Sequence, residues 1–239
     1  MEEDIYSRIR DILDVPLIAS QTIAVVGLGS LGSMAALELA KCGASRFRLV
    51  DFDRLSPPNV PRHACGLKDV GRLKVEAVKD LIRDRNPQAS VETYPVDVMV
   101  DWDKTASLLK GSDIVLVATD YDRPRRLVNQ ILVDLWLNEH TSVPMILGGV
   151  YERGFGGELF RIIPGETACY DCIRMSLDRE GIGDEPRKAE AGDYTDDLPK
   201  DTNPQPGIGI DVGFVALIQA KMALATLLRG RGGGNLGHR

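Results

Sequence analysis

The sequence predicts an α/β protein built on a doubly wound, mostly parallel sheet, and three observations carry that expectation. The apolar run Ile23-Ala24-Val25-Val26 leads straight into Gly27-Leu28-Gly29-Ser30-Leu31-Gly32. A second apolar run closes on Asp51, nineteen positions after Gly32. Strand-like and helix-like patterns then alternate as far as residue 150, as in strands joined by crossover helices.

Apolar residues at helical spacing over Ile5–Leu13 predict a short N-terminal helix. The run at residues 23–26 reads as a buried parallel strand, and the glycines after it allow a tight turn and close backbone approach to phosphate. The helix from Ser30 to Lys41 aims its positive end at that anion, and Asp51 is spaced to hold ribose hydroxyls. A bare glycine turn that binds nothing is the competing reading of the same residues. Pro57, Pro58, Pro61 and Gly66 make Arg54–Leu67 an irregular loop just past the carboxyl end of a strand, where open α/β sheets bind ligands. A helix over Gly71–Asn86 follows and stops at Asn86-Pro87. Next come a strand at Ser90–Pro95, a short helix at Lys104–Lys110, and a buried strand at Asp113–Ala118 ending on Thr119-Asp120. A helix over Arg123–His140 and a strand at Val143–Gly149 complete a Rossmann-like core.

Past Tyr151 the pattern changes to an antiparallel extension of the sheet at Gly156–Ile163 and a short helix at Cys169–Leu177. Residues 178–206 are rich in Asp, Glu, Gly and Pro, too polar to fix their own conformation, and are expected to be a mobile crossover loop. A long core helix at Ile210–Leu228 precedes a glycine-rich tail. One domain over 1–239 is expected: 1–20 a helical segment, 21–150 the nucleotide-binding core, 151–229 a substrate-binding part, and 230–239 a flexible tail.

Composition narrows the partners. A chain of 239 residues with 44% hydrophobic content holds one sizeable core, and a net charge of −6 argues against nucleic acid. Small molecules or proteins are the expected partners. The apolar stretch Val212–Leu228 is broken by Gln219 and Lys221 and is short for a bilayer span of about twenty residues, so no membrane insertion is expected. The acidic start, Met1-Glu2-Glu3-Asp4, lacks the basic and apolar character of an export signal. Of Cys42, Cys65, Cys169 and Cys172 only the last two have a motif spacing, and a reduced, cytoplasmic protein is the expectation.

The polar residues around the crevice are Asp51, Asp53, Asn59, Arg62, Lys74 and Asp120. Alternation about Phe52 is expected to point Asp51 and Asp53 the same way, and Arg62 and Lys74 have no obvious partner nearby in sequence. Cations, a carboxylate for Mg²⁺ at Asp120 and a phosphate-cradling turn suit attack on phosphorus better than hydride transfer, because they stabilise charge on phosphate oxygens and leaving pyrophosphate.

The motifs Gly27-Leu28-Gly29-Ser30-Leu31-Gly32, Val50-Asp51-Phe52-Asp53, Asn59-Val60-Pro61-Arg62, Gly71-Arg72-Leu73-Lys74-Val75-Glu76-Ala77, Asn86-Pro87 and Ala118-Thr119-Asp120 occur in that order. Over residues 5–229 this resembles the ThiF/MoeB/HesA superfamily, which includes the ubiquitin-activating enzymes. The resemblance implies adenylation of the C-terminal glycine carboxylate of a ubiquitin-like or sulfur-carrier protein, with ATP and Mg²⁺. It implies that the glycines cradle phosphates, that Asp51 holds ribose, that Asn59, Arg62 and Lys74 contact the triphosphate, and that Asp120 accompanies magnesium. Tyr6-Ser7-Arg8 resembles the segment whose arginine reaches the partner subunit's ATP, implying a homodimer, although Arg8 also reads as a solvated residue. A small ubiquitin-fold protein with a Gly-rich C-terminus, and a downstream conjugating enzyme, are the implied partners.

Three features depart from the resemblance. Cys169-Tyr170-Asp171-Cys172 is similar to the first half of the family's Zn²⁺ site, but this sequence has no second pair, and two reduced cysteines are an equal reading. Residues 173–239 hold no cysteine and Cys65 does not match the family's nucleophile, so adenylation without an enzyme thioester is expected. His63 stands where the family commonly has Gln, either donating to phosphate or merely solvating the loop. The rival functions are adenylation of a peptide or a tRNA base, a dinucleotide oxidoreductase, and the inactive half of a heterodimer. The acidic charge opposes the tRNA base, no hydride-transfer base is evident, and the inactive half would lack the cations and aspartate present here.

Overall fold

Alternate residues of the central strands enter two different cores, which is why the sheet carries helices on both faces. A computed structural model describes residues 4–151, 156–179 and 208–229. Five parallel strands, β1 (Thr22–Val26), β2 (Arg46–Val50), β3 (Ser90–Tyr94), β4 (Ile114–Val117) and β5 (Met145–Val150), lie in the order β3-β2-β1-β4-β5. The expected antiparallel addition is β6 (Gly157–Ile162), paired with β5 from Met145↔Ile162 to Val150↔Gly157. In β1, Ile23 and Val25 join one core while Ala24 and Val26 join the other.

The helices divide accordingly. On the first face lie α2 (Ser30–Lys41), α3 (Lys74–Arg85) and α7 (Gly209–Leu227), which bury Ala36, Val78 and Ala216 among other residues. On the second lie α4 (Trp102–Lys110), α5 (Asp122–Glu139) and α6 (Tyr170–Arg179), which bury Leu109, Ile131 and Tyr170. The chain leaves β1 toward β2 on one side and reaches β4 on the other. The carboxyl ends of β1 and β4 therefore border the switch point at which doubly wound sheets bind their ligands.

The N-terminus corrects one expectation. Residues 5–13 form successive turns rather than an α-helix, with bonds that alternate between the third and fourth preceding residue, such as Ile12 N–H to Ile9 O and Leu13 N–H to Ile9 O. Ile5 and Ile12 are exposed and Leu13 is the buried anchor, so packing does little to offset the cost of nucleating a short helix. The regular helix is α1 (Val15–Ser20), which begins where the Asp14 carboxylate accepts from Leu17 N–H at 3.0 Å and Pro16 occupies the first turn. The proposed loop at 178–206 lies outside the described residues except for Asp178 and Arg179, which end α6, and the tail at 230–239 lies outside them too.

By length and composition α7 could cross a membrane, yet it is a core helix on one side. Val212, Val215, Ala216, Ala220 and Ala223 are buried in the first core, and the fully buried Gln219 donates from Nε2 to the carbonyls of Val117 (3.1 Å) and Ile146 (2.9 Å). That amide ties α7 to neighbouring strands beside the switch point. Replacing it as Gln219→Leu removes both donors, and we expect a loss of about 1–3 kcal/mol of stability, read as a lower urea midpoint with an unchanged m-value.

Candidate active site

The glycine turn is held by contacts that exclude side chains. Gly27 has φ 88° and donates to Val50 O at 2.9 Å, and a Cβ on it would stand 2.7 Å from Ala118 O. A Cβ on Gly32 would stand 1.9 Å from Gly27 O, so the third glycine lets the helix start against the turn. At Gly29, by contrast, a Cβ would meet nothing within 4 Å. Gly29 is the N-cap of α2, which has neither a side-chain cap bond nor an acid in its first turn, leaving its leading amides suited to an anion.

Asp51 lies just beyond β2 and turns toward the glycines. Its Oδ2 accepts from Leu28 N–H at 2.6 Å and its Oδ1 from Asp53 N–H at 2.8 Å. Burial pushes its carboxyl pKa up, against the opposing influence of Lys74 and the two amides. Asp53 has a different role: Lys74, which has no obvious partner nearby in sequence, finds one 21 positions away, its Nζ paired with Asp53 Oδ2 at 2.7 Å. Lys74 is buried as the first residue of α3, where a cation opposes the helix dipole, so a nearby carboxylate compensates.

The loop between β2 and α3 is closed by Leu55 N–H to Arg72 O at 2.9 Å and Gly71 N–H to Leu55 O at 2.8 Å. Within it Asn59 Oδ1 accepts from the backbone and hydroxyl of Ser56, at 3.0 and 2.9 Å, in a 3-10 turn at Pro57–Asn59. Arg62 is half-buried and backs onto the start of α7, where a Cβ on Gly209 would stand 3.0 Å from Pro61 O. His63 neither solvates the loop nor faces outward. Its ring is buried, with Nε2 2.8 Å from Leu28 O and Nδ1 accepting from Cys65 N–H at 3.0 Å.

Asp120 is exposed beyond the end of β4. The preceding residue is clamped by Arg125 of α5, whose Nε and Nη2 both donate to Thr119 O, at 3.0 and 2.8 Å. Arg125 is oriented in turn by Glu158 of β6 at 3.0 Å. The sequence reading missed Arg125 and Glu158, whose partners are a backbone carbonyl and a residue 33 positions away. Arg8 is exposed in the turns before α1.

Among the cysteines, Cys42 caps α2 against the first core. Cys65 is buried and its thiol is pushed up to about 12, chiefly by burial. The sulfurs of Cys169 and Cys172 are 3.5 Å apart at the start of α6. Burial pushes Cys169 up, but hydrogen bonds from Cys172, Asn129 and Asp171 hold it below its ordinary value overall. Among the described residues no group of three or more His, Cys, Asp or Glu gathers to hold a metal, so this pair supplies only half of the four-ligand shell of structural zinc. Asp120 fits magnesium better, because that ion takes one or two carboxylates together with substrate phosphates.

A profile of the ThiF family matches residues 14–236. The chain belongs to the ThiF family. Relatives include the ubiquitin-like modifier-activating enzyme 5 of Caenorhabditis briggsae, 31% identical over 188 residues, which covers 71% of this chain and 42% of that protein. The enzyme of the same name from Branchiostoma floridae is 32% identical over 197 residues, covering 78% of this chain and 45% of that protein. This ThiF-family chain thus spans less than half the length of these curated relatives. Among solved structures, Escherichia coli MccB aligns with a TM-score of 0.71 at 19% identity, over 98% of this chain and 64% of that one. PaaA aligns with a TM-score of 0.70 at 22% identity, over 89% and 66%. They share the fold.

Two outcomes follow from the geometry. Gly32→Ala drives a methyl group into the Gly27 carbonyl, so the chain should lose about 1–3 kcal/mol of stability, read as a lower urea midpoint, while far-ultraviolet dichroism shows the sheet and helices retained. Under native conditions at mildly alkaline pH, iodoacetamide should alkylate Cys169 and Cys172 and leave Cys65 unmodified, as read by peptide mass spectrometry.

Proposed function

We propose that this chain uses ATP and Mg²⁺ to adenylate the C-terminal glycine carboxylate of a small ubiquitin-fold protein, releasing pyrophosphate. The observation that carries this reading is the convergence of the open Gly29 turn, the buried Lys74 ammonium and the exposed Asp120 at the carboxyl ends of β1, β2 and β4. The relatives named as activating enzymes support the same substrate class.

A carboxylate becomes reactive only when its oxygen joins a good leaving group. In the proposed step, one oxygen of the glycine carboxylate attacks the α-phosphorus, and the bond from that phosphorus to the bridging oxygen breaks. The mixed anhydride remains and pyrophosphate departs. The α2 amides and Lys74 face the negative charge that builds on phosphate oxygens, an arrangement worth several kcal/mol when donors are fixed beforehand. Asp51 receives the ribose hydroxyls. Asp120 would hold a magnesium ion, which would supply positive charge to offset the negative charge of the triphosphate. Arg125 keeps Asp120 in place through the Thr119 carbonyl.

The active unit in this proposal is a homodimer, with Arg8 reaching the partner subunit's ATP. Ile210, Phe214, Leu217 and Ile218 form an exposed apolar stripe along α7, opposite its buried face, which supports association. The proposed setting is the cytoplasm.

The test is ATP–pyrophosphate exchange that depends on an added ubiquitin-fold protein ending in Gly-Gly. Asp120→Ala should reduce the exchange by about a hundredfold or more without changing the melting temperature; undiminished exchange rejects the assignment. Mixing Arg8→Ala with Asp120→Ala protein should restore part of the activity, since one composite site is then whole. Failure to complement, once subunit mixing is verified by native mass spectrometry, would remove Arg8 from the site.

A further inference from the structure

We propose that His63 is a positioning residue for the nucleotide, a neutral latch that aims the Gly29 amide by gripping the Leu28 carbonyl; this deepens, and rests on, the adenylation reading. A backbone N–H can only donate, so the 3.0 Å contact from Cys65 N–H requires a lone pair on Nδ1. The remaining ring nitrogen, Nε2, then carries the proton and donates to Leu28 O at 2.8 Å. Both bonds coexist only in the uncharged ring.

The direction of one peptide follows. The Leu28 carbonyl and the Gly29 N–H belong to the same planar unit and point to opposite sides of it. With the carbonyl held by His63, the Gly29 N–H is turned away from the histidine. The other side of Leu28 is gripped too, because its own amide donates to Asp51 Oδ2 at 2.6 Å. Ala64 N–H donates to the buried Ser33 Oγ of α2 at 3.3 Å, so the histidine's own segment is anchored to the helix it helps to aim. Glycine has no side chain to limit its torsions, and these outside bonds replace that restraint.

The latch is sensitive to acid in one direction. Protonation puts a hydrogen on Nδ1 opposite the Cys65 N–H and places a charge in a buried site. The charged groups acting on the ring are Lys74 of α3, which opposes protonation, and Asp69 of the turn before α3, which favours it. Burial outweighs both the Leu28 bond and Asp69, and the imidazole lies below its ordinary value. Because the unfolded chain binds this proton more readily, the stabilisation is complete above the ordinary histidine pKa of about 6.5 and is lost as pH falls through the lower folded value.

The experiment measures Mg·ATP affinity of the full chain by calorimetry, from neutral pH down to about pH 5, in wild type, His63→Leu and His63→Gln. At neutral pH His63→Leu should bind ATP about tenfold more weakly, the equivalent of one lost hydrogen bond. His63→Gln, which donates and accepts without titrating in this range, should recover most of that loss and should lack the acid-side decline of wild type. Wild-type ATP affinity in His63→Leu, or parallel decline of wild type and His63→Gln with falling pH, overturns the latch. If wild type binds no ATP at any pH, the adenylation reading fails and takes the latch with it. Should His63→Leu fail to fold, the comparison of the pH profiles of wild type and His63→Gln still decides.

Discussion

The close approach of Gly32 to the Gly27 carbonyl sets the rest of the site. Because a side chain at Gly32 would begin 1.9 Å from that oxygen, α2 can start directly on the turn and bring its leading amides to the end of β1. The same turn backs onto the Ala118 carbonyl beyond β4, so it bridges the two strands that border the switch point. A turn rich in glycine gives up much backbone freedom when it orders and has few side chains of its own to hold it. Its restraints come from outside: Asp51 on one side of Leu28 and His63 on the other.

The charges around the turn obey a similar logic. Each cation of the site with a resolved partner is aimed by a carboxylate from another element: Lys74 by Asp53, and Arg125 by Glu158. Such pairs contribute little net stability, since desolvation offsets much of the attraction, and their value lies in orientation. Asp53 is half exposed while Lys74 is almost covered, so the ammonium is held at one spot by a partner that water can readily take over. In the proposed reaction that suits an ammonium which must exchange a carboxylate for a phosphate. Arg125 is held on both sides and spends two donors on one backbone oxygen, which suits a fixed strut rather than a group that moves.

Local pattern carried the sequence reading far. Helix α2 spans Ser30–Lys41 as its flanking glycines and apolar spacing imply, and the strands at the centre of the sheet fall within a few residues of their apolar runs. The first segment failed because helical spacing says nothing about whether a face finds something to cover it, and Ile5 and Ile12 find nothing. The partners of Lys74, Arg125 and His63 were illegible for a different reason. An ion pair between residues 21 positions apart, or a bond to a backbone carbonyl, leaves no periodic trace. The tautomer of His63 could emerge only once Cys65 N–H was seen to point at the ring.

Helix α7 joins both halves of the site through rigid contacts. Its first residue, Gly209, lies against the backbone of Pro61 and Arg62, and its middle residue Gln219 bonds to Val117, three residues before Asp120. A helix of 19 residues is about 28 Å long and bends little over that span. Because the atoms a Cβ on Gly209 would meet are backbone atoms of Pro61 and Arg62, glycine lets α7 begin close against the loop that carries Arg62. The Gln219 bonds fix the middle of the same helix to β4 and β5. One helix thus reaches from the loop that carries Arg62 to the strand that leads to Asp120, and the two sides of the crevice share a single brace.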